Sequence, residues 1–170
     1  MFATLVFGGE EVERCLRFGQ LPASMQVVEA LLFYSALGAT LAMTGIIWMV
    51  QMVHYPQFLV IDPACWQAAH ARHCRMMGFL VGPLMLAELI MAHALLLWPY
   101  PTPAAREGLL VALGLTYLCW GWTIWRALPL HRSLEQAKNA AFIEKLVREN
   151  WLRTAAWTAK SAVLLYLVLR

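Results

Sequence analysis

Long apolar runs alternate with short polar ones along the chain. Four runs, at about 27–53, 76–98, 108–125 and 151–169, approach or exceed the roughly 20 apolar residues that a helix needs to cross a bilayer core. None shows the period-two alternation of a barrel strand, and all are longer than one. Because lipid admits only backbones that satisfy their own hydrogen bonds, the pattern predicts an all-α polytopic membrane protein, an antiparallel bundle of four transmembrane helices. On this reading 1–26 is an N-terminal arm and 27–170 the transmembrane domain.

The connections differ in kind. Pro99, Pro101 and Pro103 make the second a short turn that stops one helix before the next begins. In the first, Asp62–Pro63 pairs an N-cap residue with proline at the first helical position. The second helix is therefore expected to start near Pro63, as an interfacial segment leading into its span. The third, over 133–149, mixes Glu135, Lys138, Glu144, Lys145, Arg148 and Glu149, and reads as a short solvated helix. The first 24 residues lack the basic start, apolar run and small-residue site of a cleavable signal. Two readings of them stand: a true start at Met25, or an external amphipathic arm around 10–18.

Composition agrees with lipid as the solvent. Hydrophobic residues make up 61% of the chain and charged ones only 14%, too few to cover a soluble domain of this size. The formal charge of +3 is thus no sign of nucleic acid, and the position of the basic residues carries more information. Arg72, Arg75, Arg126, Arg132, Lys138, Lys145, Arg148 and Arg153 lie at the first and third connections, against Arg14, Arg17, Arg106 and Arg170 at the other side. The positive-inside rule then puts loops 54–75 and 131–150 in the cytoplasm and both termini outside, in a bacterial inner membrane. Cys15, Cys65, Cys74 and Cys119 form no CxxC pair, and no disulfide framework is expected.

The polar chemistry gathers at the cytoplasmic side. His54 ends the first run, His70 and His73 lead into the second, and His131 leaves the third. Asn150, Arg153, Thr154, Trp157, Lys160 and Ser161 share one face of the fourth; Thr40, Thr44, Trp48 and Gln51 share one of the first and lead to His54 and Tyr55. His70 and Glu88, eighteen residues apart, share a face of the second if it is continuous. From the cytoplasmic ends, Glu88 is expected roughly 16–18 Å deep and Lys160 roughly 10–14 Å deep. A lone charge there costs roughly 2.5–3.5 kcal/mol on insertion scales, so the two are expected to pair or Glu88 to be neutral. They read either as a proton relay or ligand counter-ion, or as a structural pair with a snorkelling lysine.

For His54, His70, His73 and His131 the chemical reading is a metal or haem site; the alternative is interfacial histidines bonded to loop carbonyls. His93 reads as a packing residue. Most of the eight Trp and nine Met read as lipid-facing or interfacial. Trp120, Trp122 and Trp125 stand too close together for all to face inward. Gly78 and Gly82 form a GxxxG pair and predict close helix contact, within the bundle or between protomers. Pro83 should kink its helix.

The segments His54–Tyr55–Pro56–Gln57–Phe58, Pro129–Leu130–His131–Arg132–Ser133–Leu134 and Asn150–Trp151–Leu152–Arg153–Thr154–Ala155–Ala156–Trp157 resemble those of a group of small bacterial four-span membrane proteins. The resemblance covers most of the chain after about Met25 and implies one shared site, with no established activity. Pro129–Leu130–His131, with Asn150 and Arg153, is more distantly similar to the anthrone-oxygenase-like membrane proteins. A likeness in topology alone runs to the small four-span protoporphyrinogen oxidases that bind haem; the first span here holds no histidine, which departs from them.

These readings yield three function classes. The first is a small oxidoreductase-like enzyme acting on a lipophilic, quinone-like substrate. Its catalytic candidates are His54, His131, Arg153 and Glu88, and its pocket candidates Gln51, Tyr55, His70, His73, Asn150, Trp157 and Lys160. The second is a non-enzymatic accessory subunit of a larger membrane complex or a homodimer. The third is a transporter or ion pathway. The lipid bilayer is the partner common to all three.

Overall fold

The computed structural model describes residues 23–97 and 103–169. Expectations for the N-terminal arm, Met1, Cys15 and the proline turn lie outside them. Among the described residues the fold is all-helical, without strands. Four long helices are present: α1 (Ala23–Met49), α2 (Trp66–Leu97), α3 (Pro103–Trp122) and α4 (Ala140–Val168). Each packs on two others in the cyclic order α1, α2, α3, α4.

Three helical stretches are long and apolar enough to cross a membrane: Val27–Gln57, Pro63–Leu97 and Ala105–Ser133. The stretch through α4 is not among them. Arg153, Thr154, Thr158, Lys160 and Ser161 dilute its apolar run, and of these all but Thr158 are buried inside the chain. Its polar stripe is spent on neighbouring helices rather than turned to lipid. The outer surface of the other three is apolar, with Phe79, Leu97, Ile90 and Trp125 all well exposed. That is the inverse of a soluble protein, in which such residues would form the core.

Two wide turns interrupt the helices, and both have the same cause. In Val50–His54 the N–H of Tyr55 bonds the carbonyl of Val50, and in Thr123–Ala127 that of Leu128 bonds Thr123, each five residues back. Pro56 and Pro129 follow directly. A proline ring collides with the carbonyl four residues earlier, here Met52 and Trp125, and a π-turn moves that carbonyl aside. The helices continue as Tyr55–Gln57 and Leu128–Ser133. Pro83, by contrast, lies within the uninterrupted α2.

At one end Asp62 caps a 3₁₀ turn, Pro63–Cys65, by accepting from the Ala64 N–H, and α2 follows at Trp66. Asn139 caps α4 by accepting from Phe142. The short solvated helix expected over 133–149 is therefore not separate. No breaker stands between Ala140 and Trp151, and Ile143 and Leu146 are fully buried, so its helical part is the first turns of α4. The first and third connections are tied together by Lys138, whose Nζ donates to the carbonyls of Leu59 and Ile61 at 2.7 Å. Trp66 Nε1 also donates to the Leu134 carbonyl, at 2.8 Å.

The interior is layered. One apolar cluster, with Met43, Ile47, Val50, Met85, Cys119 and Trp157, lies toward these connections. A second, with Ala36, Leu37, Leu95, Leu109, Ala112 and Leu164, lies toward the other end. Between them each helix places a buried polar residue: Thr40, Glu88, Thr116 and Lys160.

Candidate functional site

The polar layer is saturated. Glu88 Oε1 accepts from Thr40 Oγ1 and Lys160 Nζ, both at 2.8 Å, and Oε2 accepts from Trp157 Nε1 at 3.0 Å. All four residues are at most 2% exposed. The space beside Glu88 and Lys160 is about 10 Å³, less than a water needs. Glu88 and Lys160, then, pair with each other and meet no cavity. Trp157 carries their influence onward, because the Arg153 guanidinium lies over its ring at 5.3 Å.

Around Arg153 a second network is built from the polar faces of α1 and α4. Asn150 Nδ2 donates to Gln51 Oε1 at 2.9 Å, Gln51 Nε2 donates to the Val147 carbonyl, and Arg153 donates to Asn150 Oδ1 at 3.1 Å. The guanidinium is also within electrostatic reach of the Tyr55 phenol. Arg153 is 6% exposed, and its Nε–H has no hydrogen-bond partner. The only other buried side-chain N or O atom without one, among the described residues, is Trp120 Nε1.

Both orphan donors belong to residues that line the same cavity, of about 350 Å³. Its walls are apolar side chains of α1, α2 and α3, among them Met43, Ile47, Met77, Met85, Ile124 and Leu128. Gly78 and Gly82 line it as well, and a Cβ at either would meet nothing within 4 Å. Within the chain the GxxxG pair therefore makes no close helix contact; it holds a gap open. Gly78, Gly82, Ile124 and Leu128 are themselves exposed, so the cavity opens sideways between α2 and α3.

At the connection end, Tyr55, His73, Cys74 and His131 form the cavity's polar wall. His131 is fixed from two sides: its Nε2 is 3.1 Å from the Tyr55 hydroxyl and its Nδ1 is 3.1 Å from His70 Nε2. Cys74 Sγ stands 3.6 Å from His70 Nε2 and 3.7 Å from His131 Nδ1. His70 stacks on Trp66 with centroids 5.1 Å apart. Among the described residues these three form the one group of donors close enough to share a metal ion. A bis-imidazole haem would hold its axial nitrogens about 4 Å apart on opposite faces of a macrocycle, which two nitrogens in direct contact do not provide.

The four sequence candidates thus separate. His70 and His131 join; His73 stacks against His131 at 5.7 Å and faces the cavity; His54 lies farther out, 5.7 Å from His73. His93 bonds the Leu89 carbonyl and the Tyr117 hydroxyl. Two site residues escaped the sequence reading. Cys74 had a signal, the i, i+4 spacing from His70 that puts both on one helix face. Trp120 had none, since nothing in its spacing from Trp122 and Trp125 says which of them turns inward. Trp125 is exposed, Trp122 Nε1 donates to the Glu149 carbonyl, and Trp66 and Trp157 are fully buried, against the expectation that tryptophans mostly face lipid. No protein family, curated protein or solved structure matches this chain.

Proposed function

We propose that this chain is a four-span protein of a bacterial inner membrane, with loops 54–75 and 131–150 cytoplasmic, that binds a lipophilic molecule in the cavity between α2 and α3. It acts there as a small oxidoreductase-like enzyme on a quinone-like substrate. One observation carries the reading: a buried guanidinium with a spare N–H borders an apolar, laterally open cavity. A buried donor left unmade costs about 1–3 kcal/mol, more for a charged group, so its retention calls for an acceptor. Trp120 Nε1 is a second such donor on the same cavity. A ligand with carbonyl or phenolate oxygens and an apolar body satisfies both and reaches the site from the bilayer. Tyr55 and His131, already hydrogen-bonded, supply a route for a proton at its polar end.

The test is a tryptophan-fluorescence titration of the purified chain in detergent with a short-chain benzoquinone. Saturable quenching is expected, weakened about tenfold or more by Arg153→Gln or Trp120→Phe, as loss of a hydrogen bond to a buried charge of about 1.5–3 kcal/mol implies. Gly82→Leu, which fills the cavity from a position with free space, should block binding without disturbing the fold. Non-saturable quenching, unchanged in all three variants, would remove the substrate reading and leave the accessory-subunit one.

A further inference from the structure

We propose that His70, Cys74 and His131 hold a single transition-metal ion of soft to borderline character, copper or zinc. The argument is first one of size. The three donor atoms form a triangle with edges of 3.1, 3.6 and 3.7 Å. A tetrahedral ion with bonds of about 2.05 Å to imidazole nitrogen and about 2.3 Å to thiolate sulfur sets its ligands roughly 3.3 Å apart for N···N and about 3.6 Å for N···S. The triangle is one face of such a tetrahedron to within a few tenths of an ångström. Donors merely crowded together have no reason to adopt all three spacings at once.

The surroundings are those of a ligand set. A metal-bound imidazole is usually fixed by a hydrogen bond at its other nitrogen, and Tyr55 supplies one to His131 Nε2. Trp66 fixes the His70 ring by stacking, and the His70–Cys74 spacing of four residues keeps both on one face of α2. His70 is buried, Cys74 and His131 half-buried, which shields the ion from bulk water while leaving one side accessible. Two imidazoles and a thiolate select copper or zinc over magnesium or calcium, which take oxygen ligands. Three protein ligands leave a fourth position, the arrangement of catalytic rather than structural sites. Cys74 and His131 both line the cavity, so that position is reached from it.

The full chain, purified in detergent and stripped with a chelator, would be titrated with cobalt(II) alone as the spectroscopic probe. One cobalt per chain is expected, with ligand-field bands of tetrahedral intensity and a thiolate-to-cobalt charge-transfer band in the near ultraviolet. Cys74→Ser should abolish that band, and Cys65→Ser, at an exposed thiol, should leave it. Tyr55→Phe should weaken binding about tenfold without changing the stoichiometry. A measurement on the unaltered chain guards against a variant that fails to fold. With zinc at about ten times its Kd, alkylation of Cys74 by N-ethylmaleimide should slow about tenfold while Cys65 is unaffected. Displacement of cobalt by zinc or by copper identifies the ion. Absence of saturable cobalt binding, a band that survives Cys74→Ser, alkylation indifferent to zinc, or displacement by neither metal would each overturn the assignment. Quinone binding is read separately on the metal-stripped chain, so failure of one proposal is distinguishable from failure of the other.

Discussion

Glu88 and Lys160 show how a single residue's cost is settled by its neighbours. Removing either partner of a buried ion pair strands the other charge, at about 3–5 kcal/mol, whereas replacing both by apolar side chains of similar volume is often neutral. Glu88→Ala should therefore lower stability by about 3–5 kcal/mol. Glu88→Met with Lys160→Met should lose far less, about 1–3 kcal/mol, because Thr40 and Trp157 then lack an acceptor. Unfolding by SDS titration in mixed micelles measures both; equal losses would mean the pair makes no net contribution beyond packing. The pairing itself is legible in the sequence, since the two depths overlap and each residue lies on the polar face of its helix. The outcome that it closes on itself rather than facing a cavity is not legible, because that depends on the inward rotamer of Trp157. The same limit hides Trp120. Cys74 is a different case, a readable residue masked by treating cysteines only as disulfide partners.

For the helices, the periodic faces of α1, α2 and α4 are readable from spacing alone, and so is the cap at Asp62. The wide turns are half readable. Pro56 and Pro129 announce a disturbance, but whether a helix answers with a kink, a stop or a π-turn depends on what it packs against, and Pro83 produces no interruption at all. Gly78 and Gly82 are the most ambiguous, because small residues in a membrane helix serve close contact or open space equally well. The two roles predict opposite signs. With nothing within 4 Å of its Cβ position, Gly82→Ala should stabilise the chain by about 0.5–1 kcal/mol through reduced backbone entropy and better helix propensity. A loss of stability or of self-association, followed by SDS titration and by sedimentation in detergent, would instead place a second copy of the chain against this face.

Across the whole molecule, the count of spans decides everything about sidedness. Three stretches are apolar enough to cross by themselves, and α4 is not. Yet α4 runs from the end where Lys138 ties the connections together to the end where Leu164 packs with Ala36, Leu95 and Leu109, alongside the other three. Its charged residues Arg153 and Lys160 are at most 6% exposed, so lipid meets little of what makes it polar. A helix of this kind is carried across by its bundle, with Glu88 as the partner that removes its largest penalty. Parity gives the test. With four spans and the basic connections inside, alkaline phosphatase fused after Arg170 should be active, and the same enzyme inserted in 134–139 inactive. Three spans would leave both fusions inactive, because the last connection and the C-terminus would share the cytoplasm. An inverted four-span protein would reverse the two signals. Glu88→Leu adds the mechanism: if the ion pair helps seat α4, this change should lower activity of the C-terminal fusion while the fusion in 134–139 stays inactive.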